Sequence, residues 1–172
     1  MNRIAAVVAT VSLLPLSAAA QGGSGTVAAV IEELVASNRV LAAQGILPGY
    51  GHVSVRHPEN PNRYFLSRLI APELVTTDDI VESDNPETGR GLAAALADRP
   101  AVLMRNHGIA VVGPWLSMVV GRSTTLEENA QMQSEVLARG DEIIYLALDE
   151  EPEGFDFGRS WDLWKRQLPA RP

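Results

Sequence analysis

Two four-residue apolar runs, Ala101-Val102-Leu103-Met104 and Ile109-Ala110-Val111-Val112, flank the tripeptide Asn106-His107-Gly108. Apolar runs this short are too brief for helices, and a polar, glycine-bearing turn between them reads as a β-hairpin. A chain with such a hairpin must build a sheet, yet its neighbours read as helical. After Gly113-Pro114, apolar residues at 116, 119, 120, 126, 130 and 137 follow a helical period and Arg139-Gly140 supply a stop, which predicts a helix over about 116–137. A further helix is expected over 141–148, before an acidic turn and a tail that holds Trp161 and Trp164.

The upstream half repeats the mixture. Thr26 is a candidate N-cap, and Val27, Val30, Ile31, Leu34, Val35, Leu41 and Ala42 fall on one helical face until Gly45 and Pro48-Gly49 end it. Strand-like stretches follow at 52–56 and 63–67, joined by a turn at 57–62 in which His57 is expected to be solvated surface. Thr76-Thr77-Asp78-Asp79 leads into Ile80-Val81, residues 83–89 are polar, and 91–97 form a short alanine-rich helix. Helix, strands, a gap, helix, hairpin and helices again describe an α/β domain.

At 172 residues, 46% hydrophobic and 20% charged, the composition suits one globular domain. Met1-Asn2-Arg3 is a positive start, an apolar run covers 4–16, and Ser17-Ala18-Ala19-Ala20 offers a small-residue cleavage site, so 1–20 reads as a signal peptide. Residues 21–25 are a flexible linker. A membrane anchor would need about 20 apolar residues, more than this run has. The expected destination is therefore export, to a bacterial periplasm, with no membrane contact after cleavage. Removing Arg3 from the 14 Lys and Arg leaves 13 against 21 acidic residues, a formal charge of −8. With no basic cluster, the chain is not expected to bind nucleic acid. Zero cysteines exclude disulfides and thiolate ligation, so a metal site would need His, Asp or Glu.

Several stretches, in order, resemble the class II aldolase/adducin family: residues 34–41, Gly51-His52-Val53-Ser54-Val55-Arg56, Phe65-Leu66-Ser67, residues 75–81, Gly89-Arg90-Gly91-Leu92-Ala93, residues 102–108, Val112-Gly113 and Leu126-Glu127-Glu128-Asn129-Ala130. The Gly-His-Val-Ser-Val-Arg form and the Trp-rich tail look similar to a decarboxylase branch of that family. The resemblance implies a three-layer α/β/α fold around a mostly antiparallel central sheet, a divalent metal (zinc in most members), a small-molecule substrate and a homo-oligomer, typically a tetramer. It places the domain at 26–148, with 149–172 as a C-terminal tail.

The chain also departs from the pattern. The family holds its metal through a His-x-His pair in a central segment and a third histidine in the Asn-His-Gly motif. Here Asp84-Asn85 passes directly to Pro86-Glu87-Thr88-Gly89-Arg90, as if that segment were deleted near 84–86, and the sheet should be correspondingly reduced. Only His107 matches a metal ligand; His52 and His57 complete the histidines, and no His-x-His occurs. Retro-aldol cleavage or decarboxylation leaves charge on an enolate oxygen that a Lewis-acidic metal stabilises. An open catalytic zinc site takes about three protein ligands.

The resemblance makes Gly51, His52, Ser54, Arg56, Ser67 and Arg68 candidate substrate-binding residues, in which arginine can grip a carboxylate in bidentate fashion. Each has a plainer reading: arginines at strand ends commonly make surface ion pairs, and a histidine in a tight hairpin can simply bond a backbone carbonyl. Glu127 and Glu128 read as solvated helix residues, so no catalytic residue is assigned. The functions left in play are a metal-dependent carbon-carbon lyase, ancestral and impaired in this chain, a non-catalytic adducin-like relic or interaction module, and a deletion that leaves the chain poorly folded.

Overall fold

The computed structural model describes residues 26–84, 89–145 and 156–170. Nine regular elements follow in order: α1 (Val27–Ala43), β1 (Ser54–Arg56), β2 (Tyr64–Ser67), β3 (Ile80–Ser83), α2 (Arg90–Leu96), β4 (Ala101–Met104), β5 (Gly108–Val111), α3 (Leu116–Arg139) and α4 (Gly158–Gln167). The expected leader at 1–20, the linker at 21–25 and residues 85–86 of the expected junction lie outside the described residues.

Thr26 caps α1, its side chain accepting from the Ala29 N–H at 3.3 Å, which satisfies one of the donors a helix start leaves orphaned. The helix buries Leu34, Val35, Val40 and Leu41. Leu34, Val40 and Leu41 meet Ile46, Leu47, Val53, Phe65, Val111, Val120 and Trp161 in the principal core. Full burial of each large aliphatic side chain contributes about 1.5–3 kcal/mol.

All strand pairs are antiparallel. β2 lies between β1 and β3, with Ser54 opposite Leu66 and Leu66 opposite Val81. β4 and β5 form the expected hairpin, with Met104 opposite Gly108. The strands thus divide into a three-stranded and a two-stranded sheet rather than one continuous central sheet. The two share a core, since Phe65 of β2 and Val111 of β5 belong to the same buried cluster.

Three local expectations shift. The first strand begins at Ser54 rather than 52, because the Val53 N–H donates to Asn38 Oδ1 at 3.0 Å instead of to a neighbouring strand. The helix expected over 141–148 is not formed at 141–145: α3 ends on the left-handed Gly140, and Ile144 and Tyr145 beyond it are exposed, leaving no packed face to stabilise a new helix. Residues 146–148 of that stretch lie outside the described residues.

The third shift concerns the segment read as a tail. Residues 158–167 form α4, and Trp161 enters the core. Its indole N–H donates to Glu33 at 3.0 Å, Lys165 donates to the same carboxylate at 3.0 Å, and the Arg39 guanidinium donates to the Pro169 carbonyl at 2.8 Å. α4 also packs on α3 through Phe157, whose ring occupies the space a side chain at Gly121 would need.

Candidate functional site

The expected substrate-binding residues lie along the three-stranded sheet: Gly51 and His52 before β1, Ser54 and Arg56 on it, Ser67 at the end of β2 and Arg68 just after it. Asn38, fully buried, donates to the Leu34 carbonyl at 2.9 Å and accepts from Val53, tying the approach to β1 onto the helix. Gly51 has φ +88°, a left-handed conformation that lets the chain turn into this approach. His52 follows, half-buried, and burial pushes its imidazole below the usual histidine range.

The register sorts the remaining candidates by face. Side chains alternate along a strand and directly paired residues share a face, so Ser54 and Arg56 lie with Leu66 and Tyr64, whereas Ser67 lies opposite, with Phe65 and Ile80. Ser54 and Ser67 are both buried but on different sides of the sheet. They cannot act as one anion-contacting pair, because an odd separation between one residue and the cross-strand partner of the other sends them apart. Arg56 donates to the Pro61 carbonyl.

Arg68 stands just beyond β2 and pairs with Asp79, Nε to Oδ1 at 2.6 Å. Asp79 is buried and also accepts from the Thr76 backbone N–H at 2.9 Å and the Thr76 hydroxyl at 2.8 Å. The Thr76 bonds, with a smaller contribution from Arg68, hold the Asp79 carboxyl below the ordinary carboxylate range. The sequence reading did not single out Asp79, although Thr76-x-x-Asp79 is a capping-box pattern.

His57 proves to be a structural group rather than solvated surface. Its side chain is 14% exposed, and Nδ1 accepts from the backbone N–H of Glu59 at 3.1 Å and of Asn60 at 3.2 Å. The ring lies 4.8 Å from that of Phe65, and Nε2 is 3.9 Å from Glu82, which Arg63 holds at 3.0 Å.

His107, by contrast, sits in the exposed turn of the β4–β5 hairpin, where its N–H donates to the Met104 carbonyl at 3.1 Å and Asn106 takes a left-handed φ of +63°. That is the placement expected of it. Among the described residues no group of three or more His, Asp or Glu side chains comes close enough together to hold a metal ion. The donor set present does not fit the three-ligand centre that the resemblance implies. No helix among the described residues is long and apolar enough to cross a membrane.

Residues 70–134 match the sequence model of the Class II Aldolase and Adducin N-terminal domain, a span that includes His107 and leaves Gly51, His52, Ser54, Arg56, Ser67 and Arg68 before it. The decarboxylase tropJ of Talaromyces stipitatus is 36% identical over 53 residues, 30% of this chain; the match spans only about a fifth of that protein, 20% of its length. The fold resembles that of the L-fuculose 1-phosphate aldolase from Glaciozyma antarctica PI12 with a TM-score of 0.60 and 17% identity, covering 92% of this chain and 88% of that one. A sequence match over residues 70–134, a decarboxylase relative and an aldolase-like fold agree with the ordered motifs and together support the class II aldolase/adducin family.

Proposed function

We propose that this chain is an exported, metal-lyase-derived member of the family whose carbon-carbon bond chemistry on small oxygenated substrates is impaired. The observation that carries this reading is the position of His107: it occupies the family's Asn-His-Gly position, yet stands on an exposed turn with no second and third donor gathered beside it among the described residues. Groups that act as one catalytic unit lose orders of magnitude when a member is missing. Gly51, His52, Ser54, Arg56, Ser67 and Arg68 remain the candidates for holding a substrate carboxylate or phosphate in a small-molecule site. The cofactor of the lineage is a divalent metal, zinc in most members, and the expected assembly is a homo-oligomer.

The test is turnover of small hydroxy-aldehydes and β-keto acids with added zinc, manganese or magnesium, beside a His107→Ala control. The expected result is turnover indistinguishable between the two proteins. Robust metal-dependent turnover lost in the control would overturn the reading. Export to the periplasm predicts a mature N-terminus at Gln21, and an intact mass that retains Met1 in protein from the native host would count against it.

The non-catalytic alternative, an interaction module, draws support from a different observation. Leu103 on the hairpin is 82% exposed, and Leu126, Met132 and Leu137 are exposed along α3. Leu126 and Leu137 share one face of α3, and a contiguous exposed apolar face is the kind of surface that binds partners.

A further inference from the structure

We infer that the described residues of this chain build no divalent-metal centre of their own, because the three histidines hold three unrelated positions and Asp79, Glu33 and Glu82 are already committed elsewhere. The inference deepens the reading above, which supplies the expectation of a metal, but it stands on the donors themselves.

His57 is spent on the backbone. With Nδ1 accepting from two N–H groups, the ring proton belongs on Nε2, the nitrogen that faces Glu82. A cation at Nδ1 would have to expel both N–H donors and open the turn between β1 and β2. A cation at Nε2 would have to compete with Arg63 for the only carboxylate nearby in the described contacts. His52 precedes β1 by two residues and His57 follows it by one, so the two imidazoles stand at opposite ends of that strand. His107 belongs to the other sheet, on a turn exposed to solvent, beside the exposed Arg105.

Three of the carboxylates are already engaged. Asp79 is bonded by Thr76 and Arg68, Glu33 by Trp161 and Lys165, and Glu82 by Arg63. Zinc in a catalytic site takes about three protein ligands, and assembling them here would require breaking several of these bonds at once. A lone exposed imidazole binds a divalent cation only at one point.

The measurement is cobalt(II) titration of the full chain followed by visible absorption, together with native mass spectrometry after zinc addition. The expected result is no saturable one-to-one complex, no tetrahedral cobalt band, and no change in thermal midpoint on treatment with a chelator. The ¹⁵N imidazole spectrum should show His57 as the Nε2–H tautomer, unmoved by zinc. One metal per chain, lost in His107→Ala or in His52→Ala, would overturn the inference, as would a zinc-induced shift of the His57 ring that His57→Asn removes. Failure here and failure of the proposed function are separable. Tight metal binding without turnover would sink this inference alone, whereas turnover without bound metal would sink the impaired-lyase reading alone.

Discussion

The half of the molecule built on α1 and the half built on the hairpin and α3 solve the same problem with unequal success. Around α1, every large apolar residue of the second half of the helix is buried, a buried asparagine is bonded on both sides, and α4 closes over the outside. The hairpin is half-exposed, and α3 divides at Thr124: Met118, Val119 and Val120 are buried, whereas nearly all of 125–139 is exposed, Met132 at 56% and Leu137 at 63%. The first half is a finished core. In the second, among the described residues, the outer part of α3 is left exposed, and it is also the half that carries His107. A ligand set needs neighbours in the same way that an apolar face does, and where packing layers are missing, both go unmet.

The largest test of this contrast is at Leu41, fully buried where α1 meets the core. Leu41→Ala should destabilise the fold by about 2–5 kcal/mol, the usual cost of emptying a buried leucine site, readable as a drop in the denaturant midpoint. A loss below about 1 kcal/mol would mean that the α1 core is as loosely packed as the hairpin side, on the same scale.

Next comes Asn38, whose carbonyl oxygen is the acceptor for the buried Val53 N–H. Asn38→Ala should cost about 1–3 kcal/mol, because an unpaired buried donor loses its full desolvation energy. Amide exchange at Val53 should accelerate ahead of the α1 amides. Exchange rates that rise equally across the domain would show that the bond does not act locally.

These two residues also show where sequence reading reaches and where it stops. The Thr26 cap, the period of α1, the hairpin about His107 and the Gly140 stop were legible because each is a local pattern with a local cause. α4 was not, since Trp161 and Arg39 find Glu33 and Pro169 across more than a hundred residues. Ser54 and Ser67 are both candidates by resemblance, and only the register reveals that they face apart. His57 was misread for a subtler reason. Its bonds are local, two and three residues onward, but they depend on the ring entering the turn rather than leaving it, which is fixed by the contact with Phe65 on β2.

Acid should test the α1 half next. The Asp79 carboxyl is held below its unfolded value, so its stabilisation is complete above about pH 3.9, the ordinary aspartate value, and is lost as pH falls through the folded one. His52 is depressed by burial, so its contribution is complete above about pH 6.5, the ordinary histidine value, and declines below that as the unfolded chain takes up a proton the folded chain resists. Stability measured against pH should therefore fall in two stages. His52→Gln should flatten the upper stage and Asp79→Asn the lower. A curve that His52→Gln leaves unchanged between pH 7 and 5 would show that this imidazole is solvated in the folded chain.

The smallest expected effect probes the unfinished half directly. Leu126 and Leu137 are eleven residues apart, three helical turns, and share one face of α3, with Ala130 between them. Substitutions at exposed sites without special contacts generally stay within about ±0.5 kcal/mol, so Leu126→Ser combined with Leu137→Ser should barely move the thermal midpoint of a dilute sample. The amides of 125–139 should exchange by local fraying, well before those of 118–124, because an isolated helix of this length is marginal in water. A loss above about 1.5 kcal/mol, outside the range of surface substitutions, would mean that this face is covered in solution. If that loss also grew with protein concentration in the wild type, the cover would be a second copy of the chain. The distinction matters for His107, since a copy packed along α3 would be able to bring further side chains toward the hairpin turn, where the described residues gather no group of metal donors.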